Sequence, residues 1–156
     1  MNGGVSVLVE NAVSATRLVF SGYLDKYPGL TIVLGQLGGF LPWMFGRYEL
    51  MHGIYSASAE QQGVDCDDPS NLDTYLRNLK DYAECFYLDS HSMSQEDIAL
   101  AQKLMGSDRV MFGSDYPITP ANLGRENPLA SKTDFPEDPD IREAFYHGNA
   151  EALLGL

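Results

Sequence analysis

The sequence predicts an α/β fold built from parallel βα units. Three observations carry that prediction. Three short apolar runs, Leu30–Leu34, Cys85–Leu88 and Arg109–Phe112, have strand length and are bounded by turn residues. Segments with helical spacing of apolar residues separate them. Each run ends in a polar or glycine-rich loop. Such alternation gives a parallel sheet flanked by helices, because parallel strands need a long crossover between them.

The first helix is expected from about Ser6 to Tyr27. Val9, Val13, Phe20 and Leu24 fall near helical spacing, and Pro28-Gly29 stops the chain from continuing. Leu30-Thr31-Ile32-Val33-Leu34 reads as a strand buried on both faces, since it is continuous, apolar and β-branched. Gly35-Gln36-Leu37-Gly38-Gly39 forms a flexible loop. A second helix runs from Phe40 to about Gln61, with Pro42 in its first turn. Asp65 to Asn71 is an acidic turn, and Leu72, Tyr75, Leu76 and Leu79 mark a short amphipathic helix. The second strand, Cys85–Leu88, ends in Asp89-Ser90-His91. Ser94 is the N-cap of the next helix, with Glu96 and Asp97 in its first turn and Gly106 at its end. The third strand, Arg109–Phe112, ends in Gly113-Ser114-Asp115-Tyr116-Pro117. A long acidic, proline-rich loop is expected over Thr119 to Pro139, of the length that serves as a lid or a mobile segment. Helices over Ile141–Tyr146 and Ala150–Leu154 close the chain. Three strands leave both sheet edges unpaired unless something covers them.

Composition narrows the function. The chain has 156 residues, 44% hydrophobic and 21% charged, which fits one globular domain over 1–156. Its net charge of −12 argues against nucleic acid and anionic membranes, which bind basic faces. Cys66 and Cys85 match no zinc ribbon, CxxC pair or disulfide framework, so they read as free thiols in a reducing compartment. No basic, then apolar, leader opens the sequence, and no apolar run approaches the ~20 residues of a membrane span. The expectation is a cytoplasmic protein.

In parallel α/β folds, reactive groups gather at the carboxyl ends of strands. That rule brings Gln36, His91 and Asp115 to one rim. Each also has a plainer reading. Asp115 can cap its turn, His91 can bond a neighbouring carbonyl, and Gln36 can satisfy loop backbone. Arg47 offers a bidentate fork for a substrate carboxylate or a salt bridge to Glu49. Trp43, with Phe45 and Tyr48, is either a substrate-binding aromatic or a core and interface residue. His52 and His147 stand in helical patterns as surface or packing residues. Asp65-Cys66-Asp67-Asp68 lacks the glycine and terminal glutamate of a calcium loop. A nucleotide-binding Rossmann unit is disfavoured, because no Gly-x-Gly-x-x-Gly follows a strand.

Several runs carry a resemblance over nearly the whole chain. They are Arg17-Leu18-Val19-Phe20-Ser21-Gly22 through Tyr27-Pro28, Ile32 to Pro42 with its Gly35-Gln36-Leu37-Gly38-Gly39, Phe112 to Pro117, and Gly148 to Gly155. They resemble the amidohydrolase-2 group of metal-dependent hydrolases, which includes aminocarboxymuconate-semialdehyde and resorcylate decarboxylases. The resemblance implies part of a (β/α)₈ TIM barrel, strands six to eight, since a full barrel takes about 250 residues. The family's His-x-His pair and strand-five histidine have no counterpart. Asp115 matches a strand-eight aspartate that binds metal or handles a proton. Gln36 stands where the family has an acid/base histidine, and an amide cannot titrate in that range. Arg47 matches an arginine that holds substrate carboxylate across a dimer interface. His91 closes the strand-seven match but is not a standard ligand there.

The resemblance therefore implies a hydrolase or decarboxylase acting on a small carboxylate. Its cofactor is a divalent metal, zinc first or manganese. Asp115, Gln36 and His91 are the catalytic candidates, with Arg47 and Trp43 for substrate and Asp115 for the metal. A homo-oligomer, or a partner supplying the missing strands, is expected. The chain alone, with one matching metal ligand, is expected to be inactive. The alternative is a non-catalytic binding or assembly subunit, or a truncated remnant.

Overall fold

A computed structural model describes residues 3–66, 68, 77–116 and 134–156. Helix α1 (Gly3–Phe20) and the single turn α2 (Tyr23–Lys26) lead to strand β1 (Ile32–Leu34). A 3-10 turn at Gln36–Gly38 and another at Pro42–Met44 precede α3 (Phe45–Gln61). A third such turn, Leu79–Cys85, enters β2 (Phe86–Asp89). Then come α4 (Gln95–Met105), a 3-10 turn at Ser107–Arg109 and β3 (Val110–Met111). α5 (Pro139–Glu143), a π turn (Ala144–Gly148) and α6 (Asn149–Leu154) close the chain. The strands form one parallel sheet in the order β1-β2-β3. Ile32 pairs with Phe86, Leu34 with Leu88, and Leu88 with Val110. The predicted parallel sheet of three strands is thus present, with helices between its strands among the described residues.

Three expectations need correction, and the condition set for the sheet edges is met at β3. The first helix does not run on to Tyr27. It ends at Phe20, because Gly22 turns into the left-handed region (φ 71), with its N–H bonded to Val19. Glycine carries no Cβ penalty there.

Strand β1 is not buried on both faces. Leu34, Phe86, Leu88 and Val110 sink into one core with Ala15, Val19, Ile98, Ala101 and Phe145. On the opposite face Val33 is 49% exposed and Tyr87 half-buried, with the Arg109 guanidinium 4.9 Å from the Tyr87 ring centre. Among the described residues, the helical core lies on one face of the sheet alone.

The β3 edge is not left bare. Phe145 O accepts from Phe112 N at 2.8 Å, and the buried Asn149 amide donates to Val110 O at 2.9 Å and to Ser107 O at 2.8 Å. The closing helix takes the hydrogen bonds that a fourth strand would take.

The two closing helices are one continuous stretch. The π turn carries the chain through Gly148 and Asn149 without a break. It starts earlier than expected, at Pro139, because the Asp138 carboxylate accepts from the Asp140 and Ile141 amides and proline suits a first turn. Most of the predicted proline-rich loop and of the helix over Leu72–Leu79 lies outside the described residues. Cap signals fared better. Ser94 and Asp97 exchange side-chain and backbone bonds in a capping box, as the first-turn acids suggested.

A polar clamp joins α2 to the turn before β2. Asp25 accepts from the Tyr82 hydroxyl at 2.6 Å and from Arg77 Nε at 2.8 Å. Burial, then the bond to Asp25, pushes Tyr82 up to about 12. Burial also pushes Asp25 up, but the bonds from Tyr82 and Arg77 outweigh it and hold the carboxyl below its ordinary value. Tyr82 binds its proton more tightly folded than unfolded. Its share of stability is therefore complete below the unfolded value of about 10 and lost as pH rises toward 12. Asp25 loses its share on the acid side, as pH falls through its lowered value. Urea denaturation across the alkaline window is expected to show a steeper fall for the native chain than for Tyr82→Phe. Equal slopes would remove this role from Tyr82.

Candidate active site

The carboxyl ends of all three strands meet at one rim. After β1 the backbone makes a left-handed turn. Gln36, Leu37, Gly38 and Gly39 have φ of 53, 54, 71 and 68°. Two of these residues are not glycine, and that conformation costs each roughly 1–2 kcal/mol. The turn holds because Gly35 O accepts from Gly38 N, Gln36 O accepts from Gly39 N, and Leu37 is fully buried. From α1, the Asn11 amide donates to Gly35 O at 3.0 Å and reaches Gln36 Oε1 at 3.4 Å. Gln36 therefore accepts from a helix side chain, which the plainer reading of it as a backbone partner did not include.

After β2, Asp89 Oδ1 accepts from the His91 backbone N–H at 2.7 Å and lies 2.6 Å from His91 Nδ1. A carboxylate only accepts, so Nδ1 carries the hydrogen and Nε2 is the outward nitrogen. The expected bond from His91 to a neighbouring carbonyl is replaced by this bond to a carboxylate. After β3, Asp115 takes φ 57° and sets Oδ1 3.9 Å from His91 Nε2. Both side chains remain reachable from solvent, 18% and 25% exposed. Gly35 completes the packing, since a Cβ there would stand 3.0 Å from His91 Cε1. At Gly113 a Cβ would overlap the Asp89 carboxylate outright.

Arg47 sits elsewhere. Arg47 lines a cavity of about 290 Å³ with Phe20, Met44, Tyr48, Met51 and Tyr55. None of the strand-end residues shares that cavity. Its expected partner Glu49 instead lies 3.9 Å from Lys80. Trp43 is exposed on the turn before α3. His52 and His147 take helix-surface partners, Ser56 and Glu151. Cys66 and Cys85 form no disulfide. Burial, reinforced by the Glu84 carboxylate, pushes the Cys85 thiol up, away from nucleophile character.

Sequence reasoning missed Asn11, Asp89 and Gly113 as site residues. The Asp-x-His spacing at a strand end was a usable signal for Asp89. Asn11 had none, being a helix residue 24 positions from its partner.

The donor set limits what metal can bind. Among the described residues, no three His, Cys, Asp or Glu side chains converge. A catalytic zinc uses three protein ligands, so these residues alone do not complete a zinc site. Asp115 and His91 are the two possible donors that stand near each other at this rim, 3.9 Å apart.

Comparison with known proteins bears on the family and the fold. A gamma-resorcylate decarboxylase of Polaromonas sp. is 32% identical over 94% of the chain and 41% of its own length. A 2-amino-3-carboxymuconate-6-semialdehyde decarboxylase of Dictyostelium discoideum is 27% identical over 97% of the chain and 38% of its own. The crystal structure of a dihydroxybenzoic acid decarboxylase from Polaromonas sp., with bound manganese and the inhibitor 2-nitroresorcinol, superimposes with a TM-score of 0.69. It is 28% identical and covers 96% of the chain and 41% of its own. The chain thus spans about two fifths of the length of these relatives. Residues 6–156 match the family model described as amidohydrolase, and the chain belongs to that family.

Proposed function

We propose that this chain carries the strand-six-to-eight side of a decarboxylase site acting on a small aromatic hydroxycarboxylate. One observation carries the reading. At the carboxyl rim of a parallel sheet His91 is bonded to Asp89 and stands 3.9 Å from Asp115, beside Gln36 in a strained turn. Strain of this kind clusters at functional sites. The sheet face opposite the helices supports a barrel-segment reading. Val33 and Tyr87 lie there, where a barrel would place its interior.

In this reading Asp115 holds a divalent metal together with donors beyond the described residues. When bound, the metal would polarise a substrate oxygen as a Lewis acid. The chain's own residues orient and exclude. Asp89 fixes the His91 ring. Asn11 pins the Gln36 amide, which can donate to a substrate oxygen but cannot move a proton. Arg47 lines a separate cavity and serves substrate only if a second subunit or domain brings it there. The two unbridged thiols agree with a cytoplasmic setting.

Metal content after purification without chelator, and CO₂ release from 2,6-dihydroxybenzoate with manganese, test this reading. We expect bound metal that Asp115→Ala abolishes, and no turnover by the 156 residues alone. Family-like turnover by the chain alone would overturn the expectation of inactivity. Metal retained in Asp115→Ala would overturn the ligand assignment. A second reading, a non-catalytic assembly module, draws on the Gln36 substitution and the open sheet face. A monodisperse monomer over a wide concentration range would count against it.

A further inference from the structure

The cavity of about 290 Å³ lies away from the strand ends, between the end of α1 and the first turns of α3. Half-buried Phe20, Met44, Tyr48 and Met51 wall it, and the rings of Phe20 and Tyr48 meet at 48° with centres 5.5 Å apart. Arg47 and Tyr55 also line it and are exposed, so they stand at its mouth. An apolar, aromatic lining with a few polar groups is that of a small-molecule site. The volume is roughly twice the ~150 Å³ that accepts one benzene ring, which suits a two-ring body. One charge at this cavity is uncommitted. Arg77, which also lines it, is tied to Asp25 at 2.8 Å, and Glu49 lies against Lys80. Among the described residues no carboxylate pairs with Arg47. In a chain of net charge −12 that unpaired guanidinium is a local exception. Beside apolar walls it is weakly screened, and its planar fork fits a carboxylate through two parallel N–H bonds.

We propose that this cavity, within a single chain, binds a two-ring aromatic carboxylate, with the rings among Phe20, Tyr48 and Met51 and the carboxylate on Arg47. The rings gain from apolar burial, from aromatic edges and from methionine sulfur. Burial pushes the Tyr48 hydroxyl up, so it stays neutral and does not repel the anion. Selectivity has two sources. The guanidinium rejects a neutral ligand of the same shape, and the walls leave room for more than one ring. The site needs no metal and shares no residue with the strand-end rim, so it stands or falls independently of the decarboxylase reading.

The test is calorimetric titration of the full chain, without added metal, using 2-naphthoate and its neutral isostere 2-naphthamide. We expect saturable binding of naphthoate at one site per chain, and binding of naphthamide at least tenfold weaker. Arg47→Gln should weaken naphthoate at least tenfold and leave naphthamide nearly unchanged, since it removes the charge and not the walls. Met51→Trp should fill the cavity and remove both. Asp115→Ala, at the rim, should leave both affinities as they are. The acid and amide compared on the unmutated chain keep the test decisive if a variant fails to fold. Equal affinity for acid and amide, or no saturable binding of naphthoate, would overturn the proposal. Loss of naphthoate binding in Asp115→Ala would also overturn it, by moving the ligand to the rim. So would sedimentation showing a dimer that buries this face and excludes naphthoate. None of these outcomes decides the decarboxylase reading, which answers to its own metal and CO₂ measurements.

Discussion

Gly39→Ala is expected to destabilise the chain by about 2–5 kcal/mol, enough to threaten folding of a domain whose total stability is of order 5–15 kcal/mol. Two independent costs meet at this position. Gly39 has φ 68°, where a side chain is strained. A Cβ there would also overlap the carbonyl oxygen of Leu8, which is helix backbone and cannot rotate away. Helix α1 would have to shift. That shift pulls Asn11 away from Gly35 and loosens the left-handed turn that displays Gln36. Thermal or urea denaturation reads the loss directly. Gly53→Ala is the matched control, since it lies inside α3 with nothing within 4 Å of a new Cβ. It should stabilise by roughly 0.5–1 kcal/mol. Equal effects at the two glycines would show that the close approach of α1 does not matter.

Phe86→Ala is expected to cost about 3–5 kcal/mol. Phe86 is fully buried, the first residue of the central strand, and pairs in register with Ile32 of β1. Removing its ring leaves a cavity in the core beside Leu79, Leu88 and Phe145, which are themselves fully buried. A close-packed core relaxes only in part around such a void. Phe86→Leu keeps more of the volume and should cost clearly less. A change in melting temperature of only a degree or two for Phe86→Ala would contradict this account.

Much of the fold was legible in local patterns. β-Branched and aromatic runs located β1 and β2 to within two residues, and Ser94 with Asp97 located a helix start through capping chemistry. The rim placement of Gln36, His91 and Asp115 followed from the parallel order alone, and the structure puts His91 beside Asp115. Other features were not legible. The apolar pattern of Leu30–Leu34 suggested burial on both faces. Burial depends on what covers each face, however, and the described helices cover one. Gly22 and Pro139 stood in view, but a spacing pattern does not say which glycine adopts a left-handed φ or which proline opens a helix.

The sequence by itself determined the order of βα units, their parallel sense, the helix caps and the family. These depend on periods of two or 3.6 residues, on crossover length and on short ordered motifs, all local in the chain. Tertiary structure alone decided that Asn11 reaches Gly35, that Asn149 closes the β3 edge and that Tyr82 clamps Asp25. Those partners lie 24, 39 and 57 positions apart. It also set the His91 ring between Asp89 and Asp115. The physical reason is the same in each case. A hydrogen bond is set by where atoms stand in space, and packing of the core brings such distant atoms within 3 Å of one another.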